Sequence, residues 1–306
     1  MSKITIVAAT DEKYAMLLNV MAASVLKVAG AEDSYSFKLL IDRNLTTSTL
    51  NKLSELKKLH DCSFDFIPID QNLFSDVPTL QRLSPMTNAR LHITSLLPET
   101  DRVIYLDCDL ILRQNIKALW DFELASFPIA ASMDYGSTRE ELAVRGFRLE
   151  DYFNAGVLLL DLNALRNMNF EQEVQAVITK NPQFIHDQDI LNGVFRARWQ
   201  RLSLCWNVQS EMHRAWLNQY SPELRRQFRA AERHPAIVHF SGTKPTSCRF
   251  RGRFKREFWQ VLRLTAYRDY VMTDCSLYNW VWSRLPNWIL KCGSWFKRQL
   301  KVCRPH

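Results

Sequence analysis

The chain has 306 residues, 47% of them hydrophobic and 24% charged, and a net charge of +8. That composition excludes a disordered or collagen-like chain and leaves room for one large α/β domain or two smaller ones. No stretch approaches the roughly 20 apolar residues needed to span a bilayer.

The N-terminus, MSKITIVAAT, runs directly into a strand. It has neither the apolar core length nor the small-residue cleavage site of a signal peptide. ITIVAA (Ile4 to Ala9) is a continuous apolar run and predicts a central parallel strand. Tyr14 to Ala29 has helical spacing, and SFKLLID predicts a second strand. Leu50, Leu53, Leu56 and Leu59 form one stripe of a helix, and SFDFIPI alternates as a third strand. TNARLHITSLL predicts a helix, RVIYLDCDLIL a strand over Arg102 to Leu112, and FPIAASMD another strand. GVLLLDLNAL reads as a strand followed by a helix start, DQDILNGVF as the start of a short helix, and PAIVHFSG as a late strand. Strands and helices alternating at these lengths predict a doubly wound, mostly parallel sheet with right-handed crossovers.

Seven cysteines are scattered along the chain without a C-x-x-C pair. An odd, unpaired set argues against a disulfide framework or a zinc site and points to a reducing compartment. The expected setting is therefore the cytoplasm.

Asp107 and Asp109 close the most apolar of the predicted strands with only Cys108 between them. Burying two neighbouring carboxylates is costly unless a cation answers them. In open α/β sheets ligands bind beyond the carboxyl ends of the strands. Two hard oxygen donors there suit Mn²⁺ or Mg²⁺, which complete their shells with water and phosphate. A D-x-D triplet is short and recurs by chance, but its place after an apolar strand favours a metal site. Ile111 stands where an aspartyl-phosphatase motif would need Thr or Val.

Asp11 and Tyr14 follow the first strand, where a nucleoside would dock. A carboxylate can accept a base imide N–H and a tyrosine ring can stack on the base. The same residues also fit a helix cap and a packed ring. Arg90, on the segment leading into the metal strand, is a candidate contact for a nucleotide or for Asp107.

VAATDEKYA, ARL before IYLDCDLIL, YFNAGVLLLDL, DQDILNG and HFSGTKP occur in that order between Ile4 and Pro245. Together they resemble the retaining glycosyltransferases of family eight, among them bacterial lipooligosaccharide and lipopolysaccharide-core galactosyl- and glucosyltransferases. The resemblance implies a GT-A fold, a UDP-galactose or UDP-glucose donor, Mn²⁺ and retention at the anomeric carbon. It implies Ala9 as a backbone contact for uracil, and His239 as third metal ligand beside Asp107 and Asp109. Gly242 and Lys244 would face the diphosphate. The chain has Thr246 where the family usually has Trp.

The sugar is expected over FNAG and DQD, with Asn154 and Gln188 bonding hydroxyls. Asp134, Asp187 and Asp189 are acidic partners for hydroxyls or for the anomeric carbon. Were a covalent nucleophile used, Gln188 or Asp189 lies nearest by family position; a front-face route assisted by UDP needs none. The first turn of a helix is the alternative home for DQD.

From Lys244 onward there are 14 Lys and Arg against three acidic residues, a surplus of 11 that leaves the preceding residues at −3. Four tryptophans, from Trp280 to Trp295, precede or join the helical pattern Ile289, Cys292, Phe296 and Leu300. The pattern predicts a helix in an anionic membrane interface, or else one packed on the body. No nucleic-acid motif accompanies the charge. The expected division is a transferase domain over 1–250 and a basic amphipathic region over 251–306. The expected acceptor is a lipid-linked oligosaccharide at the inner face of the cytoplasmic membrane. A protein or soluble-glycan acceptor, or an inactive nucleotide-sugar-binding protein, are the other readings.

Overall fold

The computed structural model describes residues 3–74, 77–78, 84–196, 198–210 and 214–275. The chain begins with β1 (Lys3–Thr10), α1 (Ala15–Lys27), β2 (Ser34–Asp42), α2 (Thr47–Ser54) and β3 (Cys62–Ile69). A 3₁₀ helix over Pro85–His92 runs into the single turn α3 (Ile93–Leu96). Next come β4 (Arg102–Leu106), β5 (Leu110–Leu112), α4 (Lys117–Trp120), β6 (Ile129–Met133), α5 (Arg139–Val144) and β7 (Phe153–Asp161). The remainder comprises α6 (Leu162–Asn167), α7 (Phe170–Lys180), α8 (Asp187–Val194), β8 (Gln200–Arg201), β9 (Val208–Gln209), α9 (Pro222–Arg233), β10 (Ile237–His239) and α10 (Lys255–Leu262).

Seven strands form the main sheet in the order β3-β2-β1-β4-β7-β6-β8. β3, β2, β1 and β4 are parallel neighbours, as apolar runs joined by helices require. β7 runs antiparallel to both β4 and β6, so the sheet is mostly parallel with one reversed strand. Side chains alternate across it. Ile4, Ile6 and Ala8 of β1 pack under α1 and α10, while Val7 joins Leu40, Tyr105, Phe153 and Leu158 on the other face. α1 is buried along nearly its whole length, which explains why its sequence is apolar nearly all round.

Two predicted elements differ from the structure. Arg102 to Leu112 is two strands in two sheets: β5 leaves the main sheet and pairs antiparallel with β10, which in turn pairs with β9. A continuous ladder would have to carry two carboxylates through the core. Instead the chain turns at Asp107–Asp109, where the Asp107 N–H donates to the Gly156 carbonyl (2.8 Å) and the Phe240 N–H to the Asp109 carbonyl (2.9 Å). The segment predicted as a helix before it is largely 3₁₀. Arg90 Nε donates to the Thr87 carbonyl at 2.9 Å, the acceptor an α-helix would give to the Leu91 N–H.

The scattered cysteines are not all thiols: Cys248 and Cys275 are joined by a disulfide, because the chain folds back on itself around α10. Of the predicted C-terminal region, α10 packs on the body. Phe258, Val261 and Leu262 are buried, and Trp259 Nε1 donates to the Pro245 carbonyl at 3.1 Å. The predicted interfacial helix lies outside the described residues. No helix among the described residues is long and apolar enough to cross a membrane.

Candidate active site

The carboxyl ends of β1 and β4, the turn at 107–109, the start of α8 and the loop after β10 enclose a cavity of about 410 Å³. Ala9, Asp11, Tyr14, Arg90, Asp107, Asp109, Asp134, Asn154, Gln188, His239, Gly242 and Lys244 all line it. Residues predicted from stretches more than 200 positions apart thus meet at one place.

At one end β1 delivers Ala9 and the turn into α1 delivers Asp11 and Tyr14. Asp11 Oδ1 accepts the Tyr14 N–H at 3.0 Å, so the carboxylate closes the turn that leads into α1 while lining the cavity. The Ala9 carbonyl accepts from Cys108 Sγ at 3.1 Å, which holds β1 against the 107–109 turn. Burial raises the Tyr14 hydroxyl pKa, which keeps the ring neutral.

At the centre, Asp107, Asp109 and His239 present ligand atoms that all lie within 4.8 Å of one another. His239 Nε2 is 3.3 Å from Asp109 Oδ1 and 3.8 Å from Asp107 Oδ2. Burial pushes the Asp107 carboxyl up, against the pull of Arg90. Burial pushes Asp109 the same way, but Lys244 and His239 outweigh it and hold that carboxyl low. Lys244 Nζ donates to Asp109 and, at 2.7 Å, to the Phe240 carbonyl. Burial lowers the Lys244 pKa and Asp109 raises it further, so the ammonium persists.

Three hard or borderline donors at this spacing fit a divalent cation. The backbone makes room for them. A Cβ on Gly156 would come within 2.3 Å of His239 Cε1 and 2.9 Å of Asp107 Oδ2. The charge balance agrees. Asp107, Asp109, Asp134 and Asp187 face Arg90 and Lys244, an acidic surplus that would repel a diphosphate unless a cation intervened.

Arg90 is 3% exposed and ties the centre together. It donates to Asp107 Oδ1 (2.7 Å) and the Ala155 carbonyl (2.5 Å), and pairs with Asp187 Oδ2 (3.0 Å). Its guanidinium lies over the Tyr105 ring, 4.4 Å from the centroid. Its role in the architecture is to bridge the Asp107–Asp109 turn to the start of α8.

At the other end Asp134 is 3% exposed and receives Asn154 Nδ2 and Gln209 Nε2 on Oδ1, each at 3.1 Å, and the Ser137 N–H on Oδ2 at 3.0 Å. Gln188 lines the cavity with its side-chain oxygen accepting the Ala155 N–H at 3.0 Å.

Asp189 is the exception. It is fully buried and does not line the cavity. Its carboxylate accepts from Arg145 Nη1 (2.7 Å), Tyr152 Oη (2.6 Å) and the Ile185 N–H (3.0 Å). On a helix, residues two apart face different ways. Asp187 and Asp189 therefore diverge, and only Asp187 reaches the site.

Sequence reasoning missed Asn207, Gln209, Tyr105, Arg145 and Tyr152. Asn207 Oδ1 lies 3.0 Å from His239 Nδ1, and Gln209 holds Asp134. Neither sits in a recognisable motif; the pairing of the short β9 with β10 brings them in.

The sequence model of glycosyl transferase family 8 matches residues 5–245. General stress protein A of Bacillus subtilis (strain 168) is 26% identical over 273 residues, which cover 86% of this chain and 94% of that protein. A solved galactosyltransferase, LgtC, in complex with donor and acceptor sugar analogues, superposes with a TM-score of 0.75 at 25% identity, covering 86% of this chain and 96% of its own. The bifunctional glycosyltransferase WbbM shares the fold, with a TM-score of 0.74 at 22% identity; the match covers 88% of this chain and 51% of that one.

Proposed function

The chain belongs to glycosyl transferase family 8, and on that premise we propose that it moves galactose or glucose from a UDP-sugar to a lipid-linked oligosaccharide of the lipopolysaccharide or lipooligosaccharide type, with retention and with Mn²⁺ or Mg²⁺. The observation that carries the donor and metal reading is the Asp107, Asp109 and His239 cluster on the cavity floor with Lys244 beside it. Those three side chains would hold the cation, which when bound would supply Lewis-acid chemistry at the diphosphate.

The remaining work falls to the chain's own groups. Tyr14 stacks on the base and Asp11 accepts its imide N–H. Lys244 offsets negative charge that grows on the departing UDP. Asn154 and Gln188 bond sugar hydroxyls, and Asp134 and Asp187 face positive character at the anomeric carbon. In the retaining step the bond from the anomeric carbon to the UDP oxygen breaks. The acceptor oxygen bonds to the same face, and its proton passes to the departing phosphate oxygen. This front-face route suits a site in which Asp189 is buried and hydrogen-bonded away from the cavity and Gln188 is a weakly nucleophilic amide. The basic tail beyond Asp274 suits an oligosaccharide carrier on an anionic membrane surface at the cytoplasmic face.

The test is UDP release from UDP-galactose and from UDP-glucose, each with and without Mn²⁺. One donor is expected to turn over in a manganese-dependent way, and Asp109→Asn to lower the rate at least about 100-fold with an unchanged circular dichroism spectrum. A fully active Asp109→Asn enzyme sinks the metal assignment, and no hydrolysis of either sugar sinks the donor class.

A further inference from the structure

His239 can offer a cation only the ring nitrogen that carries no proton. The structure contains a chain of hydrogen bonds that decides which one that is. It starts at Gly156, whose backbone N–H can only donate. That N–H lies 3.0 Å from Asn154 Oδ1, so the atom there must be the Asn154 oxygen. The Asn154 nitrogen then faces Asp134 Oδ1 at 3.1 Å, where a carboxylate accepts it. Rotating the amide by half a turn would set nitrogen against the Gly156 N–H and oxygen against the Asp134 carboxylate, and would lose both bonds.

The same oxygen of Asn154 also faces Asn207, at 2.8 Å. An oxygen that only accepts requires a donor there, so the Asn207 amide nitrogen is the atom in contact. The Asn207 oxygen is thereby left facing His239 Nδ1 at 3.0 Å. An amide oxygen only accepts, so Nδ1 must carry the proton. In the neutral ring Nε2 is then bare, and Nε2 is the nitrogen that lies 3.3 Å from Asp109 and 3.8 Å from Asp107, whose oxygens leave that position to a proton or to a cation.

Each member of the chain is buried: Asn207 is 0% exposed, Asp134 3%, His239 4% and Asn154 7%. A donor or acceptor left unpaired in such a place carries its desolvation penalty uncompensated. The backbone holds the relay in place. Asn207 directly precedes β9, which pairs in parallel with β10, so it is carried to the side of the strand that ends in His239. Tyr135 Oη donates to the Asn207 carbonyl at 3.2 Å and fixes the segment from below.

We propose that Asn207 is a positioning residue that selects the Nδ1–H tautomer of His239, aims Nε2 at the paired aspartates, and ties the cation site to the sugar-facing carboxylate Asp134 through Asn154. This rests on the reading of Asp107, Asp109 and His239 as the cation site. The direction of the relay itself follows from donors and acceptors alone.

The first measurement uses the full-length, metal-free protein labelled with ¹⁵N. Long-range ¹H–¹⁵N correlations of His239, assigned by their loss in His239→Gln, are recorded above the ring's titration, which the same spectra locate. The expected result is a protonated Nδ1 and a bare Nε2. A protonated Nε2 overturns the proposal.

The second measurement is Mn²⁺ affinity by electron paramagnetic resonance. Asn207→Leu, which removes both ends of the relay, is expected to weaken it about 10- to 100-fold. Asn207→Asp keeps an acceptor for Nδ1–H, and is expected to retain the tautomer and to lose less affinity than the leucine variant. Unchanged affinity in both variants overturns the positioning role. Should Asn207→Leu fail to fold, as its thermal melt would reveal, the aspartate variant and the wild-type spectrum still decide. A wild-type protein that binds no Mn²⁺ defeats the cation reading instead, and the tautomer stands or falls on the metal-free spectrum.

Discussion

Gly156 sits on β7 opposite His239 and Asp107, and a single methyl group there has nowhere to go. Its ideal position lies 2.3 Å from His239 Cε1 and 2.8 Å from Nδ1. Both neighbours are held by other bonds, so the imidazole must move or the strand must shift. Gly156→Ala is therefore expected to cost about 1–3 kcal/mol of stability, as overpacked cores do, and to weaken Mn²⁺ binding at least about 10-fold. Chemical denaturation and a metal titration on the same preparation would check this. Native affinity in a stably folded variant would contradict the crowding argument. The glycine was visible in the sequence as part of FNAG, but its reason was not. What it makes room for comes from β10, more than 80 positions later.

The element scale is clearest at the start of α8. Its first turn carries Asp187 and Gln188 into the cavity, while Asp189 points into the core beneath them. Arg145, just after α5, and Tyr152, just before β7, hold that buried carboxylate at 2.7 and 2.6 Å. Removing Arg145 leaves a buried charge with part of its shell missing. Arg145→Ala is expected to cost about 3 kcal/mol in urea unfolding and to lower kcat through a displaced Gln188. Stability and rate both at wild-type values would show that Tyr152 and the Ile185 N–H suffice.

A second anchor carries a pH signature. Glu171 on α7 accepts from Thr94 Oγ1 at 2.7 Å and from the Ser95 N–H at 2.9 Å, joining α7 to α3. Burial pushes its pKa up, but these bonds and His92 outweigh burial and bring it from 4.5 to about 2. A carboxyl depressed on folding stabilises fully above pH 4.5 and loses that contribution as pH falls toward 2. Its side chain is 28% exposed, so the contribution is discounted to about 1–2 kcal/mol. Glu171→Gln should flatten the stability profile between pH 4.5 and 2 and leave the rest unchanged; an identical acid slope in both proteins would remove the assignment.

For the whole molecule, the periodicity of the sequence was enough for the parallel half of the sheet, because ITIVAA, SFKLLID and SFDFIPI are local signals. The family motifs brought most of the cavity lining into view. What stayed hidden depends on pairing between distant segments. The reversal of β7 and the departure of β5 into a second sheet leave no mark on hydrophobic pattern alone. Asn207, Gln209 and Arg145 lie in no motif, and their roles appear only when partners 30 to 75 positions away come together. The charge asymmetry has its own consequence at this scale. Removing the residues after Pro286 should release the protein from phosphatidylglycerol vesicles while UDP release continues. Equal sedimentation of both forms with vesicles would move the membrane contact to the body.

The turn at Asp107–Asp109 is also a seam. Asp107 follows the last residue of a strand of the larger sheet, Asp109 precedes the first residue of a strand of the smaller one, and His239 closes the strand beside it. An ion lodged among them would act as a rivet between two separately hydrogen-bonded plates. Loading the donor and stiffening the scaffold would then be one event, and the emptied enzyme would be loosest along the line where its next substrate must enter.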